Sequence, residues 1–268
     1  MATEHGHFIN GKRVAGESGR LGDVFNPTTG EIQSKVALAS KAELVKAVDA
    51  AEKAFPGWAA TNPQRRARVM FKFKDLVEKD MDNLAKLLSS EHGKILPDAR
   101  GDVQRGLEVI EFACGIPHLQ KGEYTEAAGP GIDVFSMRQP LGVVAGITPF
   151  NFPAMIPMWM FGVAIACGNT FINKPSEKDP SVPLRLAELM MEAGAPEGVL
   201  NVVNGDKEAV DAIIEDPRIK AISFVGSSDI AKLHLRQRRS ERKTRAGVRR
   251  RQEPHDYPPG RRHGECGQ

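Results

Sequence analysis

The chain has 268 residues, enough for one or two domains with a substantial buried core. Its 41% hydrophobic and 26% charged content is that of an ordinary globular protein, and no apolar run approaches the length of a membrane span. The net charge of +3 divides unevenly: from Leu233 onward ten Arg and one Lys face three Glu and one Asp, so this tail carries +7 and the preceding part −4. The opening Met1-Ala2-Thr3-Glu4-His5-Gly6-His7 has neither the apolar core of a signal peptide nor an Arg-rich amphipathic pattern. Cys114, Cys167 and Cys266 are odd in number and widely spaced. They suggest no disulfide framework and no metal site, and a reducing cytoplasm fits them best.

In chain order, alternation predicts strands over 7–14 and 31–38, with Asn10-Gly11 as a turn. Residues 41–55 read as a helix, with Leu44, Val45, Val48, Ala51 and Phe55 at helical spacing. A second helix starts after Pro63 and runs toward Ser90; a third covers about 96–114 and breaks near Pro117. Ile132 to Met137 reads as an exposed strand. Strands at 142–147, 170–173, 200–203 and 221–225 then alternate with helices at 154–166, 182–193 and 207–215. Repeated βα units imply a parallel sheet covered on both faces.

Three stretches carry chemistry. Thr148-Pro149-Phe150-Asn151-Phe152-Pro153 holds one amide, Asn151, between two prolines that fix the backbone. A rigid amide donor suits an oxyanion formed only in a transition state; the plainer reading is a loop Asn capping local backbone. Asn173-Lys174-Pro175-Ser176-Glu177 sets a cation and a carboxylate three apart after an apolar run, a way to hold ribose hydroxyls or else a charged loop. Gly226-Ser227-Ser228-Asp229 stands where a strand gives way to a helix. A glycine and free N–H groups there favour phosphate, and an N-capped helix after a tight turn explains the spacing equally well. There is no G-x-G-x-x-G. His92 reads as a helix-end residue, Cys114 and Cys167 as small core residues.

Taken together, these residues resemble the aldehyde dehydrogenase superfamily. Phe8-Ile9-Asn10-Gly11-Lys12 and Asn26-Pro27-Thr28-Thr29-Gly30-Glu31 are similar to its opening strands and turn. Gln104-Arg105-Gly106, Glu111 to Pro117 and Met158-Trp159-Met160-Phe161 resemble one branch, the CoA-acylating methylmalonate-semialdehyde dehydrogenases. The resemblance covers residues 1 to about 232. It implies an α/β fold with a Rossmann-type parallel sheet, helices on both faces, and added N-terminal strands and helices. The expected organisation is N-terminal strands and helices over 1–129, an oligomerisation strand at 130–140, NAD-binding βα units at 141–232, and a basic tail at 233–268. The chain would then stop before the catalytic domain.

The resemblance also implies roles. Asn151 becomes the oxyanion donor. Phe150, Lys174, Glu177, Gly226 and Ser227 bind NAD, with Lys174 and Glu177 on the adenosine ribose and Gly226 and Ser227 on the pyrophosphate. Glu177 fits NAD rather than NADP, because a carboxylate repels a 2′-phosphate. Arg105, by itself a solvated surface residue, becomes a clamp for a substrate carboxylate. The implied reaction oxidises a semialdehyde acid through a Cys nucleophile, passes hydride to NAD and the acyl group to CoA with loss of carbon dioxide, in a homo-oligomer without metal. The family's nucleophile stands well beyond the pyrophosphate turn in a Gln-Arg-Cys-type context. Cys266, in Gly264-Glu265-Cys266-Gly267, comes too early with the wrong neighbours and is rejected.

The tail has three readings: a nucleic-acid-binding arm, a disordered charged segment, or the product of a shifted reading frame. Back-translation of residues 243–256 in a shifted frame permits Lys-Arg-Val-Gln-Ala-Phe followed by Gly-Gly-Ala-Lys-Asn-His-Met, similar to the segment expected next in this branch. The expectation is therefore a frameshift near Lys232 and a chain without turnover. The rivals are an NAD-binding or subunit-poisoning fragment and a basic-tailed nucleic-acid-binding protein.

Overall fold

A computed structural model describes residues 3–227. The basic tail, with its frameshift and nucleic-acid readings, lies outside them, as do Ser228, Asp229 and Cys266.

The N-terminal part opens with short strands β1 (Thr3–His5), β2 (His7–Ile9) and β3 (Lys12–Val14), then β4 (Leu21–Phe25) and β5 (Ile32–Ala37). Strands β1, β5 and β4 form a small sheet of their own. Four helices follow: α1 (Lys41–Ala60), α2 (Pro63–Lys79), α3 (Met81–His92) and α4 (Leu96–Cys114), with a single turn α5 (Ile116–Leu119) after them. Helix α1 begins in a capping box, Ser40 with Glu43, which satisfies two otherwise orphaned N–H groups. It continues through Pro56 to Ala60, beyond the expected end, because Trp58 is buried and donates its indole N–H to the Ile165 carbonyl at 2.9 Å. The single helix expected from Pro63 toward Ser90 is two helices. The break falls at Asp80, whose carboxylate accepts from Arg185 Nε at 2.9 Å.

Strands β6 (Tyr124–Gly129) and β7 (Ile132–Phe135) make a separate antiparallel hairpin. Its Tyr124, Ile132, Val134 and Phe135 are exposed. Only β7 was expected, since β6 lacks apolar alternation.

The remaining elements are β8 (Val143–Ile147), α6 (Met155–Ala166), β9 (Thr170–Lys174), α7 (Ser181–Glu192), β10 (Leu200–Val202), α8 (Lys207–Glu215) and β11 (Ile219–Phe224). The main sheet has the order β11-β8-β9-β10-β2-β3. Its first four strands are parallel, and β2 and β3 join antiparallel through Val202 opposite Phe8. The 7–14 segment is thus a hairpin within the main sheet.

Every residue of β8 and β9 is buried, as parallel strands covered on both faces require. The pleat sends alternate residues to opposite sides. Val144, Phe171, Leu200 and Val202 pack with α6 and α7, and with α2 to α4 behind them. Val143, Ala145, Ile147, Ile172 and Val203 pack with α1 and α8.

Gly198 leads into β10 at φ +81°, and a Cβ there would lie 2.5 Å from the Ala50 carbonyl oxygen of α1. Gly198→Ala should therefore lower the unfolding free energy by at least about 2 kcal/mol, from left-handed strain plus overlap with fixed backbone. Gly194→Ala, at φ +96° with nothing within 4 Å of its Cβ, should lose only the strain. Urea denaturation of both compares them, and equal losses would contradict this account of the turn.

Candidate functional site

Four parallel strands end at the same edge of the sheet, and open α/β folds bind ligands in the crevice beyond such ends. The loops there are 148–154 after β8, 175–180 after β9, 203–206 after β10 and 225–227 after β11. Lys174 is the last residue of β9 and lies in register with Ile147 of β8. The Thr148 N–H donates to the Lys174 carbonyl at 3.1 Å, tying the first two loops together.

The Lys174 ammonium is buried, and its Nζ lies 3.6 Å from Oε2 of the half-exposed Glu177. Burial pulls the Lys174 pKa below its ordinary value, and Glu177 opposes the fall. This cation and carboxylate meet as the spacing suggested.

Asn151 is exposed in a turn, and its amide makes no hydrogen bond among the described residues. Its carbonyl accepts from Lys94 Nζ at 2.7 Å. The Phe150 ring is 47% exposed. It stacks on His92 at 5.9 Å between centroids and lies 4.7 Å from the Lys178 ammonium.

Lys94 and Asp102 had no place in the sequence reading. Asp102 is buried, accepting the Met155 N–H at the first turn of α6 on one oxygen and Lys94 Nζ on the other, both at 2.7 Å. Helix α6 has no side-chain cap of its own, so a residue of α4 supplies one. The signal available was an aspartate on the apolar stripe of α4, beside Ala99, Val103 and Gly106.

Gly226 and Ser227 are exposed just past β11; the helix expected after them lies outside the described residues. Arg105 is exposed on α4, without an ion pair among the described residues. Its carbonyl accepts the Trp159 indole N–H at 3.0 Å. One turn further on, Val109 lines an apolar groove of about 630 Å3 with Ile156, Trp159, Met160 and Phe224. Arg105 thus stands on α4 beside Trp159 of α6, one turn beyond Asp102.

Behind the loops lies a group of acids. Asp179 is 1% exposed, and neither carboxyl oxygen has a partner among the described residues. Burial, reinforced by Glu91, Asp102 and Glu177, pushes it up to about 9. Glu91 accepts from the Ser181 N–H at 3.0 Å and from its hydroxyl at the start of α7. Burial pushes Glu91 up to about 7 against those bonds. His5 Nε2 lies 3.9 Å from Glu91, and burial lowers the pKa of His5.

The two described cysteines are free thiols. Burial pushes Cys114 up to about 11 and raises Cys167, so neither is an activated nucleophile. Among the described residues no His, Cys, Asp and Glu group could hold a metal ion. None of their helices is long and apolar enough to cross a membrane.

The sequence profile of the aldehyde dehydrogenase family matches residues 14–246. A malonate-semialdehyde dehydrogenase of Pseudomonas aeruginosa is 59% identical over 231 residues, 86% of this chain and 46% of that protein. The acylating mitochondrial methylmalonate-semialdehyde dehydrogenase of Arabidopsis thaliana is 54% identical over 229 residues, 85% of this chain and 38% of its own length. Among solved structures, a Sinorhizobium meliloti protein crystallised with NAD and assigned to the methylmalonate-semialdehyde dehydrogenases superposes with a TM-score of 0.91 at 64% identity. That match covers 92% of this chain and 50% of the other. The chain spans about half the length of the relatives it matches.

Asp179 gives the site a pH signature. Its folded pKa, about 9, lies above the ordinary 3.8, so the folded state holds a proton that the unfolded state releases. Stability contributed by that proton is complete below about pH 4 and is lost as pH rises toward 9. Asp179→Asn carries no titrating group there, so its thermal midpoint should gain on the parent chain steadily from pH 5 to pH 9. Parallel midpoint curves across that range would show that Asp179 is not held protonated.

Proposed function

The chain belongs to the aldehyde dehydrogenase family, and from that premise we propose that it is the cofactor-binding half of an NAD-dependent, CoA-acylating dehydrogenase for malonate or methylmalonate semialdehyde. The observation that carries the reading is the Lys174–Glu177 pair, tied through Thr148 to the loop bearing Phe150 and Asn151 at the carboxyl edge of a parallel sheet.

The residues suit a nicotinamide dinucleotide. A buried ammonium 3.6 Å from a half-exposed carboxylate supplies a donor and an acceptor for the two hydroxyls of a ribose. Gly226 offers a close backbone approach for the pyrophosphate, and the adjacent Ser227 a hydroxyl. Phe150 gives an exposed aromatic ring beside Lys178. When bound, NAD accepts the hydride. The task left for Asn151 is to donate its free amide N–H to the oxyanion that forms as the aldehyde is attacked, where a prepositioned donor lowers the barrier. The exposed guanidinium of Arg105, without an ion pair among the described residues, receives the acid group of the semialdehyde. CoA takes the acyl group, and carbon dioxide leaves.

The attacking thiolate belongs to the other half of such an enzyme, since Cys114 and Cys167 are both raised by burial. By itself the described part binds nucleotide without turnover. The exposed apolar hairpin β6–β7 favours a second role within that reading, as a surface that joins other subunits in a homo-oligomer and can poison them. A reducing compartment such as the cytoplasm keeps the two thiols free.

Lys174→Ala and Glu177→Ala should each weaken NAD binding by about 1.5–3 kcal/mol, roughly tenfold to a hundredfold, because each removes a hydrogen bond to a charged group. Calorimetric titration of the chain measures it, and unchanged affinity in both variants would take these residues out of the site. With residues 1–227 joined to the second half of a relative, Arg105→Leu should raise KM for malonate semialdehyde far more than for propanal. Equal changes for the two aldehydes would refute the carboxylate clamp.

A further inference from the structure

Lys94 makes one more bond than its ion pair requires. Neutralising the buried Asp102 needs only the contact from Nζ to Oδ2 at 2.7 Å. The same ammonium also donates to the Asn151 carbonyl at 2.7 Å and lies 4.1 Å from the centre of the Phe152 ring. Asp102 meanwhile spends its other oxygen on the Met155 N–H.

The run from Asn151 to Met155 is therefore held at both ends by one ion pair. Helix α6 is docked through Asp102, and the turn before it through Lys94. Inside the run the Phe152 and Ala154 carbonyls accept from Ile156 and Met158 of α6 at 3.3 and 3.2 Å, but Pro153 has no N–H to donate and the Asn151 side chain makes no bond among the described residues, so neither ties Asn151 itself.

We propose that Lys94, seated on Asp102, is the positioning residue for Asn151: it pins the carbonyl and so fixes the direction of the amide that would meet the oxyanion. This rests on the reading of the 148–153 loop as the nicotinamide side of the site. A donor contributes to an oxyanion hole only when its orientation is settled before charge develops, and a charge-assisted bond to the backbone carbonyl of the same residue fixes the main chain that carries it.

Lys94→Met alone would strand a buried carboxylate and could unfold the chain for that reason. The informative variant is Lys94→Met with Asp102→Asn. There the Asn oxygen still accepts the Met155 N–H, no charge is buried, and what is lost is the tether to Asn151 together with the cation over the Phe152 ring. Lys94→Arg keeps a cation and donors in place.

The experiment uses the chain with 4-fluorophenylalanine at Phe152, read by fluorine resonance, together with titrations of NADH and AMP. AMP reports the adenosine side at Lys174 and Glu177, and NADH reports both sides. In the double variant the fluorine line should shift and broaden while AMP affinity holds. The preference for NADH over AMP should fall about tenfold, the loss of roughly one charge-assisted bond's ordering effect. Lys94→Arg should restore the narrow line and the preference.

An unchanged fluorine line in the double variant overturns the proposal. A changed line with an unchanged preference for NADH overturns it too, since Lys94 would then be structural only. A parent chain that binds neither nucleotide fails earlier and differently: it removes the cofactor reading, and the positioning role with it.

Discussion

The helices that close one face of the main sheet do not cap themselves. Neither α6 nor α7 has a side-chain cap from its own sequence, yet both begin in buried surroundings where an orphaned N–H is costly. Asp102 serves α6 from 53 residues away, and Glu91 serves α7 from 90 residues away. A carboxylate at a helix N-terminus gains about 0.3–1 kcal/mol from the helix dipole, up to about 2 when partly buried. Burying that carboxylate costs several kcal/mol unless donors surround it. Asp102 has such donors in Met155 and Lys94. Asp179 has none among the described residues and is pushed up to about 9.

This long-range capping welds the N-terminal helices to the sheet and sets the loops at its carboxyl edge. The 148–154 loop is fixed by Thr148 to Lys174, by Lys94 to Asn151 and by Asp102 to Met155. The charges that line the edge are thus held by the same contacts that hold the fold. That leaves exposed the Phe150 ring, the Asn151 amide and one side of Glu177.

Much of this was legible in the sequence where the physics is local. Apolar periodicity located the strands and helices from β8 to β11 within a residue or two, because buried parallel strands and their covering helices leave strong patterns. The Lys174–Glu177 pair follows from a spacing of three after a strand. What stayed hidden depends on distant partners. The break at Asp80 is secured by Arg185, 105 residues on, and α1 outlasts Pro56 because Trp58 reaches Ile165. Strand β6 is exposed along its length and has no alternation to read. Lys94 and Asp102 were missed for a related reason: a lysine after a helix-ending glycine looks solvated until the loop it holds is in view.

In the proposed function a dinucleotide lies across the carboxyl edge of the sheet, against Lys174 and Glu177. A crystal structure of the chain grown with NAD tests it directly. The result expected is an adenosine ribose within hydrogen-bond distance of both the Lys174 ammonium and the Glu177 carboxylate, with the nicotinamide end running toward Phe150 and Asn151. A nucleotide seated in the apolar groove beside Trp159, or ordered crystals with an empty edge at saturating NAD, would contradict it.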